Sequence, residues 1–90
     1  METPTVEQLH KFRSRIHASF RADDPRIFYV PFDPIEVGRM IQVFEEETGI
    51  TCKDEKEFLL ALKRRNALIT GTDPGRGIEI TLPTLQPVSK

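Results

Sequence analysis

Signals for the beginning and end of helices fix the order of elements along this chain of 90 residues. Residues 33–36 read Asp-Pro-Ile-Glu, which combines a capping residue, a proline suited to the first helical position and a glutamate that can complete a capping box. They predict a helix that begins there and runs to about Thr48, where Gly49 ends it. Thr51 and Asp54 predict the cap of a further helix, so that a two-residue turn separates the two helices.

The N-terminal segment has the apolar period of an amphipathic helix. We expect this helix over about residues 4–21, begun either by Thr3 before Pro4 or by a capping box of Thr5 and Gln8. Its end is set by Pro25, because the residues leading into a proline disfavour helix. The large apolar side chains fall on one stripe of a helix with a step of about 100° per residue. They are Val6, Leu9, Phe12, Ile16 and Phe20.

The third predicted helix covers about residues 52–66. Phe58, Leu59 and Leu62, with Ala61 at the edge, fall on one face and are expected to enter the core. Aromatic and β-branched residues predict a strand at 26–30 and a hairpin of 67–70 and 78–82 around a Gly/Pro-rich loop, 71–77. We expect the first strand to pair beside 78–82.

The order is therefore helix, strand, helix, turn, helix, strand, loop, strand over about residues 4–82. It resembles the winged helix-turn-helix superfamily in architecture, although no sequence motif specific to one family is present. The resemblance implies an α+β winged-helix domain over residues 1–83, with residues 84–90 an extended or disordered tail. It also implies that the third helix enters the major groove and that a wing at 71–77 touches the DNA backbone.

Charge and cysteine content narrow the class of protein. The net charge is −1, so the chain lacks the strongly basic balance that would identify a nucleic-acid-binding protein. A single Cys52 excludes an internal disulfide framework and fits a reducing compartment. No apolar run approaches the roughly 20 residues that span a bilayer. We therefore expect a cytoplasmic protein, nuclear if eukaryotic, with no membrane partner.

The outward face of the third helix is mostly cationic, and Lys and Arg side chains neutralise phosphates and read guanine. Glu57 on that face, with Asp54 and Glu55 nearby, opposes approach to phosphates, so a solvated surface is the alternative. Leu60 suits a thymine methyl group or a protein surface. With Arg76 added from the wing, the candidate DNA-binding residues are Lys53, Lys56, Leu60, Lys63, Arg64 and Arg76.

Two other charged groups are candidates for protein contact. One is a cationic row on the first helix, with spacings of three and four residues: His10, Arg13, His17 and Arg21. The other is Glu45, Glu46 and Glu47, at a helix end where the dipole disfavours anions. Either group could instead be a solvated flank of its helix.

Catalytic and metal-binding patterns are not recognisable in the sequence. The two histidines are seven residues apart, no Ser-His-Asp or Cys-His spacing appears, and the glycines of the loop do not form a phosphate-binding motif. We expect a non-enzyme without a cofactor or metal. The leading function is DNA binding, as a regulator or an accessory factor in a DNA-processing complex, with double-stranded DNA as the partner. The alternative is a domain that docks onto a larger protein assembly, and a homodimer is left open.

Overall fold

Three α-helices pack against a three-stranded antiparallel sheet in the computed structural model, which describes residues 2–85. The predicted α+β class and the number of helices and strands are confirmed. Among these residues, none of the helices has the length and apolar character needed to cross a bilayer. The elements are α1 (Val6–Arg15), a 3-10 turn (Ala18–Phe20), β1 (Ile27–Val30), α2 (Pro34–Thr48), α3 (Glu55–Arg64), β2 (Leu68–Asp73) and β3 (Gly77–Thr81).

The sheet has the strand order β1-β3-β2, which confirms the predicted pairing of the first strand beside the last. Phe28 of β1 and Ile69 of β2 both lie opposite Ile80 of β3. The predicted loop at 71–77 is wrong in extent, because β2 continues past a bulge between Ile69 and Gly71 as far as Asp73. The turn is confined to residues 74–76.

Four phenylalanine side chains join the helices to the sheet. The ring of Phe12 on α1 meets those of Phe28, Phe44 and Phe58 edge-to-face, at centroid distances of 5.4, 5.5 and 5.9 Å. Phe44 and Phe58 also meet each other, at 5.1 Å. All four rings are fully buried, and each edge-to-face pair adds about 0.5–1.5 kcal/mol beyond the burial of its area.

The prediction that the first helix reaches Arg21 is wrong. The Thr5–Gln8 capping box begins α1, but the helix ends at Arg15, and Ile16 has an extended backbone with ψ 162°. The His17 side chain then caps the separate 3-10 turn by accepting a hydrogen bond from the Ser19 backbone N–H. Ile16 is nevertheless buried in the core, so its apolar side chain does not require the helix to continue.

The second helix has the predicted bounds. Asp33 accepts a hydrogen bond from the Ile35 N–H at 2.9 Å, Pro34 is the first helical residue, and Gly49 ends the helix at φ 74°. The capping box was also predicted to include a hydrogen bond from the Asp33 N–H to the Glu36 side chain. This part of the prediction is wrong, because within residues 2–85 the Glu36 side chain makes no hydrogen bond to the Asp33 N–H.

The third helix begins later than predicted. Its cap is Asp54 rather than Thr51, so residues 49–54 separate α2 from α3 and the two-residue turn is wrong. Ile50 and Cys52 are buried within this connection, which holds it against the core in a non-helical course. Of the expected tail, the structure describes only Thr84 and Leu85, in neither helix nor strand, and the rest lies outside the described residues.

Gly77 begins β3 where the backbone of β1 leaves no room for a side chain. It has φ 129°, and a Cβ atom there would overlap the carbonyl oxygen of Val30. Both the conformation and the contact therefore require glycine. Gly38 on α2 is the opposite case, since a Cβ atom there would meet no atom within 4 Å.

We expect Gly77→Ala to lower the free energy of unfolding by about 2–4 kcal/mol, because it adds backbone strain to a steric overlap. Gly38→Ala is the matched control and should raise it by about 0.5–1 kcal/mol, since alanine favours helix. Urea unfolding followed by circular dichroism measures both changes. Equal stability of the Gly77 variant and the wild type would contradict the close approach of β3 to Val30.

Candidate nucleic-acid interface

The cap of α3 orients the face that carries the predicted DNA-binding residues. Asp54 Oδ1 accepts from the Glu57 N–H at 3.0 Å, and Glu57 Oε1 accepts from the Lys53 N–H at 2.9 Å. Both carboxylates thus satisfy N–H groups at the start of the helix, where the dipole favours negative charge. Asp54 and Glu57 therefore have a structural role at this end of α3.

The inward face of α3 determines which side chains point outward. Phe58, Ala61 and Leu62 are buried, and the period of 3.6 residues then places Lys56, Leu60 and Lys63 on the opposite side of the helix. All three are exposed, Leu60 to 41 %. They line a shallow depression together with Glu55 and Leu59.

The three lysines of the predicted site are not paired with acidic side chains of the part of the chain that the structure describes. Lys53, Lys56 and Lys63 form no salt bridge with any residue in the range 2–85. Lys53 precedes the helix, in the connection from α2, and Arg64 is the last helical residue and is exposed. The structure therefore brings Lys56, Leu60 and Lys63 together, with Lys53 and Arg64 at the two ends of the same helix.

Arg76 lies in the turn between β2 and β3 and is directed toward β1. Its guanidinium carbon lies 5.2 Å from the centre of the Tyr29 ring. The depression that Arg76 borders is lined by residues of the 3-10 turn, of the segment 31–33 that includes Phe32, and of the start of α2, and by none from α3. Arg76 is thus separate from the group of lysines on α3.

The cationic row predicted on the first helix does not form, because α1 ends before His17 and Arg21. Arg13 instead donates to three backbone carbonyls, those of Ile27, Ala22 and Asp24, at 3.2, 2.6 and 3.1 Å. Its pKa is lowered, first by burial and then by the charge of Arg21, and raised less by Asp24. The guanidinium of Arg13 therefore ties the segment before β1 to α1.

The remaining members of the row also have structural contacts. His10 Nε2 lies 2.8 Å from the Pro83 carbonyl oxygen, and Arg21 donates to the Ser14 carbonyl at 3.2 Å. With His17 capping the 3-10 turn, each residue of the predicted row is bonded within the fold. The sequence signal was misleading because a helical period was extended across the break at Ile16.

The acidic side chains predicted at the end of α2, those of Glu45, Glu46 and Glu47, also bond to other residues of the fold. Glu45 Oε2 accepts from the Cys52 N–H at 2.8 Å, which stabilises the connection to α3. Arg15 pairs with Glu46 at 2.8 Å and with Glu47 at 3.5 Å. These pairs join the end of α1 to the end of α2 and offset the cost of anions at a helix C-terminus.

Five exposed apolar side chains, those of Phe32, Ile35, Leu68, Ile69 and Leu85, were not predicted as candidates, because they form no periodic pattern in the sequence. Phe32 and Ile35 flank the start of α2 and are 57 % and 68 % exposed. Leu68 and Ile69 are neighbours at the start of β2. Within residues 2–85, no group of three or more His, Cys, Asp or Glu side chains has the geometry of a metal site.

No family model, curated protein or solved structure matches the chain.

Asp24 makes one acid-sensitive contact next to Arg13. Arg26 holds the pKa of this carboxyl at about 2, against an ordinary 3.8, mainly through hydrogen bonds from its side chain and its backbone N–H. Because the folded-state pKa is the lower one, the stabilisation is present above about pH 4 and is lost as pH falls toward 2.

The difference in unfolding free energy between wild type and Asp24→Asn should therefore shrink over that range in urea titrations. Asp23→Asn is the control, and a constant difference for Asp24→Asn would contradict the assignment.

Cys52 should be unreactive in the folded protein. It is 6 % exposed, and its pKa is raised by burial and then by the carboxylates of Glu45, Glu57 and Asp54. Since the thiolate is the reactive form, a disulfide reagent should react about a hundredfold more slowly in buffer than in concentrated urea. The absorbance of the released thiol measures both rates, and similar rates would show that Cys52 is accessible.

Proposed function

We propose that the chain is a winged helix-turn-helix domain that binds double-stranded DNA through the outward face of α3. The architecture is supported by the element order α1-β1-α2-α3-β2-β3 and by the pairing of β1 beside β3. The observation that carries the function is the set of exposed lysines, Lys53, Lys56 and Lys63, that no carboxylate within the described range pairs with. Such a domain would serve as a regulator or as an accessory factor in a DNA-processing complex.

Lys56 and Lys63 are two turns apart on α3, about 10 Å along its axis. When α3 lies in a major groove, their ammonium groups are available to the phosphates that border it, and Leu60 between them faces the base edges. A leucine there contributes contact with a thymine methyl group rather than hydrogen-bond recognition. We therefore infer that phosphate contacts supply most of the affinity, which makes binding strongly dependent on salt.

The acidic residues near this face oppose DNA less than their number suggests. Asp54 and Glu57 accept hydrogen bonds from backbone N–H groups at the helix N-terminus, so their charge is partly compensated there. Glu46 and Glu47 are paired with Arg15, at the junction of α1 and α2. Glu45 accepts a hydrogen bond from the Cys52 N–H, so five of the six acidic residues named as opposing DNA or as candidates for docking bond within the fold.

Arg76 has a smaller role in this proposal than the resemblance implies. Its guanidinium is over the Tyr29 ring, and an exposed contact of this kind contributes about 0.5–1 kcal/mol. To contact the DNA backbone, the Arg76 guanidinium would have to leave the Tyr29 ring. We therefore assign the main DNA contacts to α3.

Docking onto a protein assembly is the second candidate, favoured by the exposure of Leu60. Leu59 and Leu60 line a shallow depression together with Lys56, Lys63 and Glu55, and the two leucines between the lysines suit an apolar side chain of a partner. This partner would occupy the same face of α3, so the two functions are distinguished by the response to duplex DNA.

The test is Lys56→Glu combined with Lys63→Glu. Binding to a random-sequence duplex should weaken by about a hundredfold or more at low salt, because each change replaces a phosphate-neutralising cation with an anion. The slope of log affinity against log salt should fall by about 2. Fluorescence anisotropy over a salt series measures both quantities, and the melting temperature should barely change because both side chains are exposed.

The matched control is Lys11→Glu combined with Arg39→Glu, which alters the net charge equally at exposed positions on α1 and α2. Its affinity should remain within a fewfold of wild type. Equal losses in the two double variants would show that only overall charge matters. An absence of duplex binding by the wild type at low salt would overturn the DNA proposal, and loss of partner capture by Leu60→Asp would then support protein docking.

A further inference from the structure

A cleft of about 290 Å³ lies between the 3-10 turn and α2. Its floor is apolar: Ile16 and Met40 are buried, at 5 % and 2 % exposed, and Phe20 and Val43 are partly buried against the core. The described residues that line it belong to the range 15–20 and to α2. Its volume is near the lower limit of ordinary small-molecule pockets, about 300–1,000 Å³. An inference from this cleft does not depend on the proposed DNA binding by α3.

Contacts within the fold hold the walls of the cleft in place. Arg15 pairs with two glutamates of α2, which joins the end of α1 to the end of that helix. At the 3-10 turn, the His17 ring accepts from the Ser19 N–H and lies edge-to-face with the Phe20 ring, at a centroid distance of 6.0 Å. The cleft is therefore formed by the fold itself, as pockets for small molecules usually are.

Two rim side chains of opposite charge are unpaired in the part of the chain that the structure describes. The side chains of Glu36 and Arg39 form no hydrogen bond or salt bridge there, with each other or with another residue. They are one turn apart on α2, so their Cβ atoms are separated by about 5–6 Å. The Arg15 side chain and Nδ1 of His17 are already bonded, as described above. A ligand that carries both a cation and an anion would satisfy Glu36 and Arg39 together.

We propose that this cleft binds a free α-amino acid with a large apolar side chain. Arg39 binds the carboxylate, Glu36 binds the ammonium group and the ligand's side chain covers the apolar floor. Because Nδ1 of His17 accepts from the Ser19 N–H, the proton of the neutral ring is on Nε2, which adds a donor for the carboxylate. An apolar acid or amine would leave one of the two rim charges unpaired. A peptide has no carboxylate beside its N-terminal ammonium group, which favours the free amino acid.

Two-dimensional NMR of the full chain, titrated with leucine, tests the proposal. Leucine should shift the backbone amides of residues 15–20 and 36–43 more than those of α3. Isopentylamine lacks the carboxylate of leucine and isocaproate lacks its ammonium group, so each should bind about three- to tenfold more weakly. Glycine lacks the apolar side chain and should not saturate the cleft.

Arg39→Gln and Glu36→Gln separate the two polar contacts. Each should weaken leucine binding about three- to tenfold. Arg39→Gln should not weaken binding of isopentylamine, which has no carboxylate, and Glu36→Gln should not weaken binding of isocaproate, which has no ammonium group. General damage to the fold would weaken every ligand, so this crossed pattern reports the contacts themselves. Lys11→Gln and Glu7→Gln are the matched controls at exposed positions of α1 and should leave all affinities unchanged.

The titrations also define what would overturn the proposal. It is wrong if leucine, methionine and phenylalanine all leave the amides of the cleft unshifted up to about 20 mM. Equal affinity for leucine and isocaproate would show that the ammonium group is unused, and equal affinity for leucine and isopentylamine would show the same of the carboxylate. Either result contradicts an amino acid site. The presence or absence of duplex binding has no bearing on these outcomes.

Discussion

Phe12 contacts an aromatic ring from each of three other elements, and the orientation of α3 depends on these contacts. Phe58 is held between Phe12 and Phe44, at 5.9 and 5.1 Å, which fixes the rotation of α3 about its own axis. Because Phe58 is directed inward, the side chains of Lys56, Leu60 and Lys63 point away from the core. In a chain of this size the core supplies little surplus stability, so the same four rings that stabilise the fold also define its cationic face.

The ion pairs and hydrogen bonds of the acidic side chains affect the charge on the outward face of α3. Carboxylates in this chain are mostly bonded within the fold: Asp54 and Glu57 cap α3, Glu45 supports the connection before it, and Glu46 binds Arg15. The arginines near the sheet are also engaged, since Arg13 binds three carbonyls and Arg65 donates to the Pro4 carbonyl at 2.7 Å. The net charge of −1 therefore does not describe the charge on the outward face of α3, because many of the acidic side chains are compensated by bonds within the fold, although Glu55 lies beside the lysines of this face.

The sequence predicted the elements whose signals are local and failed where side chains far apart in the chain compete. Asp33, Pro34 and Gly49 act within their own turns, so the bounds of α2 could be predicted. The end of α1 could not, because Ile16 stays buried whether or not it is helical, and the bond between His17 and Ser19 becomes decisive only once the chain turns toward β1. The start of α3 shifted for a similar reason, since Ile50 and Cys52 enter the core and delay the helix until Asp54. The candidate site was predictable as a helix face, whereas the structural use of Arg13 and the stacking of Arg76 on Tyr29 depend on tertiary contacts.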